Sequence, residues 1–127
     1  MRYITLEEVI YIYTEIIKRN NGKAGIKEET ILEDVLTKPM VTFEGEELYP
    51  DLFTKVAVLI FAFINNRPFI SENKCVAVLS ALFVLRVNGY HLTATQESLV
   101  NFINGIEEGK YKVDHLITWL RKNAVLV

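Results

Sequence analysis

Val56-Ala57-Val58-Leu59-Ile60-Phe61-Ala62-Phe63-Ile64-Asn65-Asn66-Arg67-Pro68-Phe69-Ile70-Ser71-Glu72-Asn73-Lys74-Cys75-Val76-Ala77-Val78-Leu79-Ser80-Ala81-Leu82-Phe83-Val84-Leu85 joins two apolar blocks through a short polar connection. The first block, Val56 to Ile64, holds no polar side chain, and the second, Cys75 to Leu85, holds only Ser80. Each falls well short of the roughly 20 residues that span a bilayer. Both are apolar around most of a helix circumference, as expected of helices surrounded by others. Asp51 can cap the first helix, which runs to Asn65 and stops before Pro68, and Asn88-Gly89 ends the second. Ala77, Ser80 and Ala81 let neighbours approach closely. The pair forms the buried centre of the fold.

Helical spacing continues outward from this centre. Leu6, Val9, Ile10, Tyr13, Ile16 and Ile17 repeat at helical intervals, with Thr5 and Glu8 as a capping box and Gly22 as a stop. Ile31, Leu32, Val35 and Leu36 follow an acidic start, Glu28-Glu29, and Pro39 ends that helix. Met40 to Tyr49 has no period and contains Gly45, so it reads as a surface loop or flap. Thr93 and Gln96 can cap a fifth helix carrying Leu99, Phe102 and Ile103, and Val113, Leu116, Ile117 and Leu120 mark a sixth. Strand signals are few, and no repeat or linker divides the chain. The expectation is one all-α domain of about six helices over residues 1–127.

Composition narrows the function. With 127 residues, half of them apolar, the chain can bury a core without staples, which excludes disorder and disulfide scaffolds. Lys and Arg total 14 against 16 Asp and Glu, a net charge of -2, so no domain-wide basic field attracts nucleic acid or an anionic membrane. The single cysteine, Cys75, and the absence of zinc-ligand spacing predict no structural metal and fit a reducing cytoplasm. The opening Met1-Arg2-Tyr3-Ile4-Thr5 lacks a signal peptide's apolar stretch, so a soluble intracellular protein is expected.

The connection between the central helices is where chemistry can sit. It places Arg67 and Lys74, Ser71 and Asn73, and a fresh helix N-terminus between buried elements, an arrangement suited to phosphate. The plainer reading is a proline-containing turn in which Phe69 plugs the core and Ser71 is an ordinary N-cap. Cys75 reads as a small core residue, and His91 and His115 stand alone on a loop and a helix surface.

Arg67-Pro68-Phe69-Ile70-Ser71-Glu72-Asn73-Lys74-Cys75 resembles a damaged copy of the Fic/Doc signature, His-x-Phe-x-Asp-Gly/Ala-Asn-Lys-Arg in its death-on-curing (Doc) form. Leu79 to Arg86, Asn88-Gly89, Tyr49 to Phe53, Gly22 with Gly25-Ile26, and Met1 to Glu8 are also similar to Doc proteins in order and spacing. The resemblance implies an all-α toxin of a toxin–antitoxin pair. Doc toxins move the γ-phosphate of ATP to a threonine of elongation factor Tu, other Fic proteins transfer AMP, and both use magnesium. The family also implies an antitoxin whose amphipathic C-terminal segment folds into a groove on the toxin.

Carried over by position, Phe69 matches the core plug, Asn73 the phosphate-binding asparagine and Lys74 the lysine on the phosphates. Arg67 stands at the base position, where a guanidinium cannot accept a proton near neutral pH. Ser71 replaces the metal-holding acid, although Glu72 beside it can serve as a substitute ligand or base, and Cys75 replaces the phosphate-clamping arginine. The expectation is a Doc-like protein that is catalytically impaired. An active transferase with altered residues and a non-enzymatic binding module are the alternatives.

Overall fold

The computed structural model describes residues 1–127. Six helices carry the fold: α1 (Leu6–Asn20), α2 (Glu29–Thr37), α3 (Leu52–Asn66), α4 (Asn73–Val87), α5 (Gln96–Glu107) and α6 (Val113–Asn123). The packed pair α3 and α4 forms the centre, and α1, α2, α5 and α6 surround it. Val56, Ala57, Leu59, Ile60 and Phe63 of α3 and Val76, Ala77, Ala81 and Val84 of α4 are fully buried. Ser80, one of the small residues expected to admit close packing, is buried as well, with its hydroxyl unpartnered. No helix is long and apolar enough to cross a membrane.

The sequence signals set most boundaries. Thr5 and Glu8 complete the capping box of α1. Its stop shifts by one residue, because Asn21 rather than Gly22 takes the left-handed C-cap conformation, which asparagine tolerates. Pro39 ends α2 as a helix, yet the chain continues through a 3-10 turn, Lys38–Met40. Thr95, not Thr93 or Gln96, caps α5 by accepting from the Ser98 N–H, and the Thr93 hydroxyl instead donates to the Asn123 carbonyl. The flap from Met40 to Tyr49 is a small hairpin, β1 (Thr42–Phe43) paired with β2 (Glu46–Glu47). Its turn, Glu44-Gly45, has positive φ at both residues, the geometry that suits a two-residue hairpin. A second ribbon pairs β3 (Tyr90–Leu92) with β4 (Ala124–Leu126), too short to announce itself in an alternating pattern.

The N-terminus of α3 gathers several interactions. Asp51 accepts from the Phe53 and Thr54 N–H groups and the Thr54 hydroxyl, and pairs with Arg121 of α6 at 2.7 Å. Partial burial pushes against the Asp51 charge, but Thr54, Phe53 and Arg121 outweigh it and hold the carboxyl below its ordinary value. A depressed folded-state value means the unfolded chain binds the proton more readily. The stabilisation is therefore present above the ordinary aspartate value of about 3.9 and disappears as pH falls through the folded one. Asp51→Asn should flatten this part of the pH dependence. In urea melts at pH 6 and pH 3, the wild type should lose more stability between the two than the variant, and equal losses would contradict the assignment.

Candidate functional site

The α3–α4 connection is shaped by two left-handed residues. Arg67 closes α3 at φ 46°, and Glu72 opens α4 at φ 64°. Non-glycine residues adopt this conformation at a cost of about 1 kcal/mol each, so the loop between them is held by its surroundings. The α1–α2 connection supplies most of that support. The Lys27 N–H donates to the Pro68 carbonyl at 2.8 Å and the Ile70 N–H to the Gly25 carbonyl at 3.0 Å, around an antiparallel bridge between Ile26 and Phe69. A Cβ at Gly25 would lie 2.9 Å from the tip of the half-exposed Ile70 side chain, which would have to turn aside.

Tyr13 of α1 fastens the two segments. Its ring stacks on Phe69 with centroids 3.9 Å apart, and its hydroxyl accepts from the Gly25 N–H at 3.1 Å and lies 3.3 Å from Ser71 Oγ. The helical periodicity marked Tyr13 as an inward residue but gave no sign of the polar role of its hydroxyl. Tyr13→Phe keeps the stack and leaves the Gly25 N–H without this acceptor. We expect a loss of about 1–2 kcal/mol in chemical denaturation, and a wild-type midpoint would show that the hydroxyl is idle.

Each residue singled out in the sequence has a definite place. Phe69 is fully buried, as a core plug should be. Asn73, also buried, accepts from the Phe69 N–H at 3.0 Å and donates to the Phe69 carbonyl at 2.9 Å, so its amide braces the loop. Ser71 is not the N-cap of α4. That place belongs to Glu72, while the Ser71 hydroxyl donates to the Lys23 carbonyl at 3.2 Å. The Glu72 carboxylate accepts from Asn20 at 3.1 Å and makes no capping bond.

Lys74 reaches across to α5, donating to Asn104 Oδ1 at 2.7 Å and pairing with Glu107 at 2.6 Å. Neither partner belongs to a motif that sequence reading could have flagged. Arg67 is exposed and has neither an ion-pair nor a hydrogen-bond partner for its guanidinium. Cys75 is half-buried rather than a core residue, on the wall of an open hollow of about 290 Å³ shared with Glu72, Lys74, Val78, Gln96 and Val100. Burial, then the nearby Glu72 charge, push its thiol above the ordinary value, away from a reactive thiolate. His91 lies on β3, and His115 accepts from the Lys112 N–H at the start of α6, both outside the loop.

For a divalent metal the loop offers one carboxylate, Glu72, and the Ser71 hydroxyl. Ser71 and Glu72 are engaged with Lys23, Tyr13 and Asn20, and nowhere do three His, Cys, Asp or Glu side chains gather as a metal set. What the loop does offer is one lysine at the start of a long helix and one free arginine.

The Fic/DOC family model matches residues 3–85, a span that contains α1 to α3, the whole loop and all but the last two residues of α4. The chain belongs to the Fic/Doc family. It is 30% identical over 122 residues to the protein kinase doc of Escherichia phage P1, covering 96% of this chain and 95% of that protein. It is also 29% identical over 73 residues to toxin Doc of Mycolicibacterium smegmatis, covering 58% and 56% respectively. The Fic/Doc assignment agrees with the all-α, six-helix architecture.

Proposed function

We propose that this Fic/Doc protein is a Doc-like member of a toxin–antitoxin pair that has lost base-catalysed transfer from ATP and retains the anion-holding part of its site. The observation that carries this reading is Arg67. It stands at the base position of the motif as an exposed, unpartnered guanidinium, and such a group cannot take the proton of a target hydroxyl. General-base catalysis contributes about 10²- to 10⁴-fold. Ser71, tied to Lys23 and Tyr13, supplies no carboxylate, and Cys75 supplies no second cation. What remains for a phosphate chain is Lys74 and the N–H groups that open α4. Phosphoryl transfer depends on positioning and charge neutralisation, so a site reduced in this way can bind better than it can turn over.

The scaffold has open space at two of the three missing parts. Arg67 is exposed, Ser71 faces the Tyr13 hydroxyl, and Cys75 opens on the hollow beside α4. The triple variant Arg67→His, Ser71→Asp, Cys75→Arg should therefore arrest growth when expressed in a bacterial host, while the wild type does not. The purified variant should transfer label from γ-labelled ATP to elongation factor Tu. A folded, soluble triple variant with neither effect would overturn the reading. Label transfer by the wild type, from the γ or the α phosphate, would establish the active-transferase alternative. The same reading supplies a partner, an antitoxin with an amphipathic C-terminal segment, and the product of a neighbouring small gene should co-purify with the chain.

A further inference from the structure

The far end of α4 carries a cation that the motif does not use. Arg86 lies about 18 Å along the helix axis from Lys74, at 1.5 Å per residue. The helix dipole favours a base in this last turn, yet the Arg86 guanidinium is exposed and belongs to none of the chain's ion pairs. Together with Tyr90 and His91 of β3 it borders two open hollows, of about 230 and 380 Å³. Leu82, Leu85, Leu92 and Ala94 make the first hollow largely apolar, and Gly89 and Val127 complete the second. No Asp or Glu lines either one. An apolar depression thus adjoins a free guanidinium and an exposed imidazole, with further open space bordered by the same three residues.

We propose that this groove binds a short segment of a partner protein in which an acidic side chain stands two residues from an apolar one. The planar guanidinium of Arg86 matches a carboxylate through two parallel hydrogen bonds, and the His91 ring supplies a further donor. The first hollow is smaller than the roughly 300–1,000 Å³ of small-molecule sites and suits a single apolar side chain. The second hollow lets the occupant continue past Arg86 and His91, which favours a stretch of chain over a compact ligand. In an extended backbone, residues two apart face the same side, about 6.5 Å from each other, so the apolar group and the carboxylate enter together. Charge complementarity selects the acid: a free arginine with no acidic neighbour gains its counter-ion from the partner. The groove lies at the opposite end of α4 from the motif loop, so this inference does not depend on what the loop binds.

The test is an NMR titration of the full, nitrogen-15-labelled chain with the peptide acetyl-Leu-Ser-Asp-Ser-Leu-amide, whose two leucines serve either chain direction. Amide signals of Arg86, Tyr90, His91, Leu92 and Gln96 should move at millimolar peptide, while those of Phe69 to Cys75 stay in place. Replacing the peptide's aspartate by asparagine should weaken binding about 10-fold or more, and so should Arg86→Gln in the protein. Replacing both leucines by serine should weaken it about as much. Lys27→Gln makes the same change in net charge at an exposed position on the α1–α2 connection and should match the wild type. Arg86→Gln alters an exposed side chain without partners, so the variant should keep the wild-type spectrum outside the groove. Equal binding of the aspartate and asparagine peptides, equal weakening by Arg86→Gln and Lys27→Gln, or shifts confined to other surfaces would overturn the proposal. So would the absence of any shift at millimolar peptide. Acetate that moves the same signals as strongly as the peptide would leave a simple anion site and remove the partner segment.

Discussion

Lys55→Met is expected to cost about 2–4 kcal/mol in urea denaturation and to free the flap. Lys55 lies within α3, one position before the apolar block, and its side chain is only 1% exposed. Its ammonium is satisfied by three oxygens: the Pro39 carbonyl at 3.3 Å, Glu47 of β2 at 2.9 Å, and the Tyr49 carbonyl. One buried charge thus ties the end of α2, the second flap strand and the start of α3 together. Methionine fills the same space but donates nothing, so two backbone carbonyls lose their donor, at about 1–3 kcal/mol for each one left buried. Glu47 is 46% exposed and can recover its hydration, which places the total below the cost of breaking a fully buried ion pair. Glu47→Gln should accordingly lose less than about 1 kcal/mol. Comparable losses from both variants would show that the ion pair, rather than the carbonyl contacts, holds the hairpin.

Phe69→Ala should be at least as damaging, by about 3–5 kcal/mol, and should distort the loop as well as the core. The ring is fully buried and forms one face of the Tyr13 stack. The backbone of the same residue donates to and accepts from the Asn73 amide and bridges Ile26. Alanine keeps the backbone partners while leaving a cavity beside Tyr13. Phe69→Leu, which fills most of that volume, should recover more than half of the loss. Equal destabilisation by the two variants would mean that the stack with Tyr13, and not packing volume, is what the position requires.

The fold was legible because its decisive elements obey local rules. Two uncharged apolar runs bounded by a cap on one side and Pro or Asn-Gly stops on the other read as interior helices, and the Thr5–Glu8 and Asp51 caps mark starts that depend on their own residues. The two ribbons were not legible, since strands of two or three residues carry no alternation to read. Lys55 was hidden for a related reason. A lysine at the edge of an apolar run reads as a solvated flank, and only the arrival of three oxygens from other segments makes it an interior residue.

In the candidate site the motif residues could be found by position, but their partners could not. Lys74 is joined to residues 30 and more positions away in sequence, through Asn104 and Glu107, and such pairings follow from how α4 and α5 pack. Glu72 has a left-handed backbone, which glycine, one of the two small residues of the Doc-type pattern at this position, adopts most easily.

The clasp made by Tyr13 also bears on how the chain acquires its shape during synthesis. Its hydroxyl meets Ser71 across 58 residues of sequence, so the helix that holds the loop emerges from the ribosome long before the loop exists. Closing so long a span is slow compared with winding either helix alone. The Tyr13 contacts to Gly25 and Ser71 form only when both segments are in place, so this part of the motif's geometry depends on the N-terminal helix having docked.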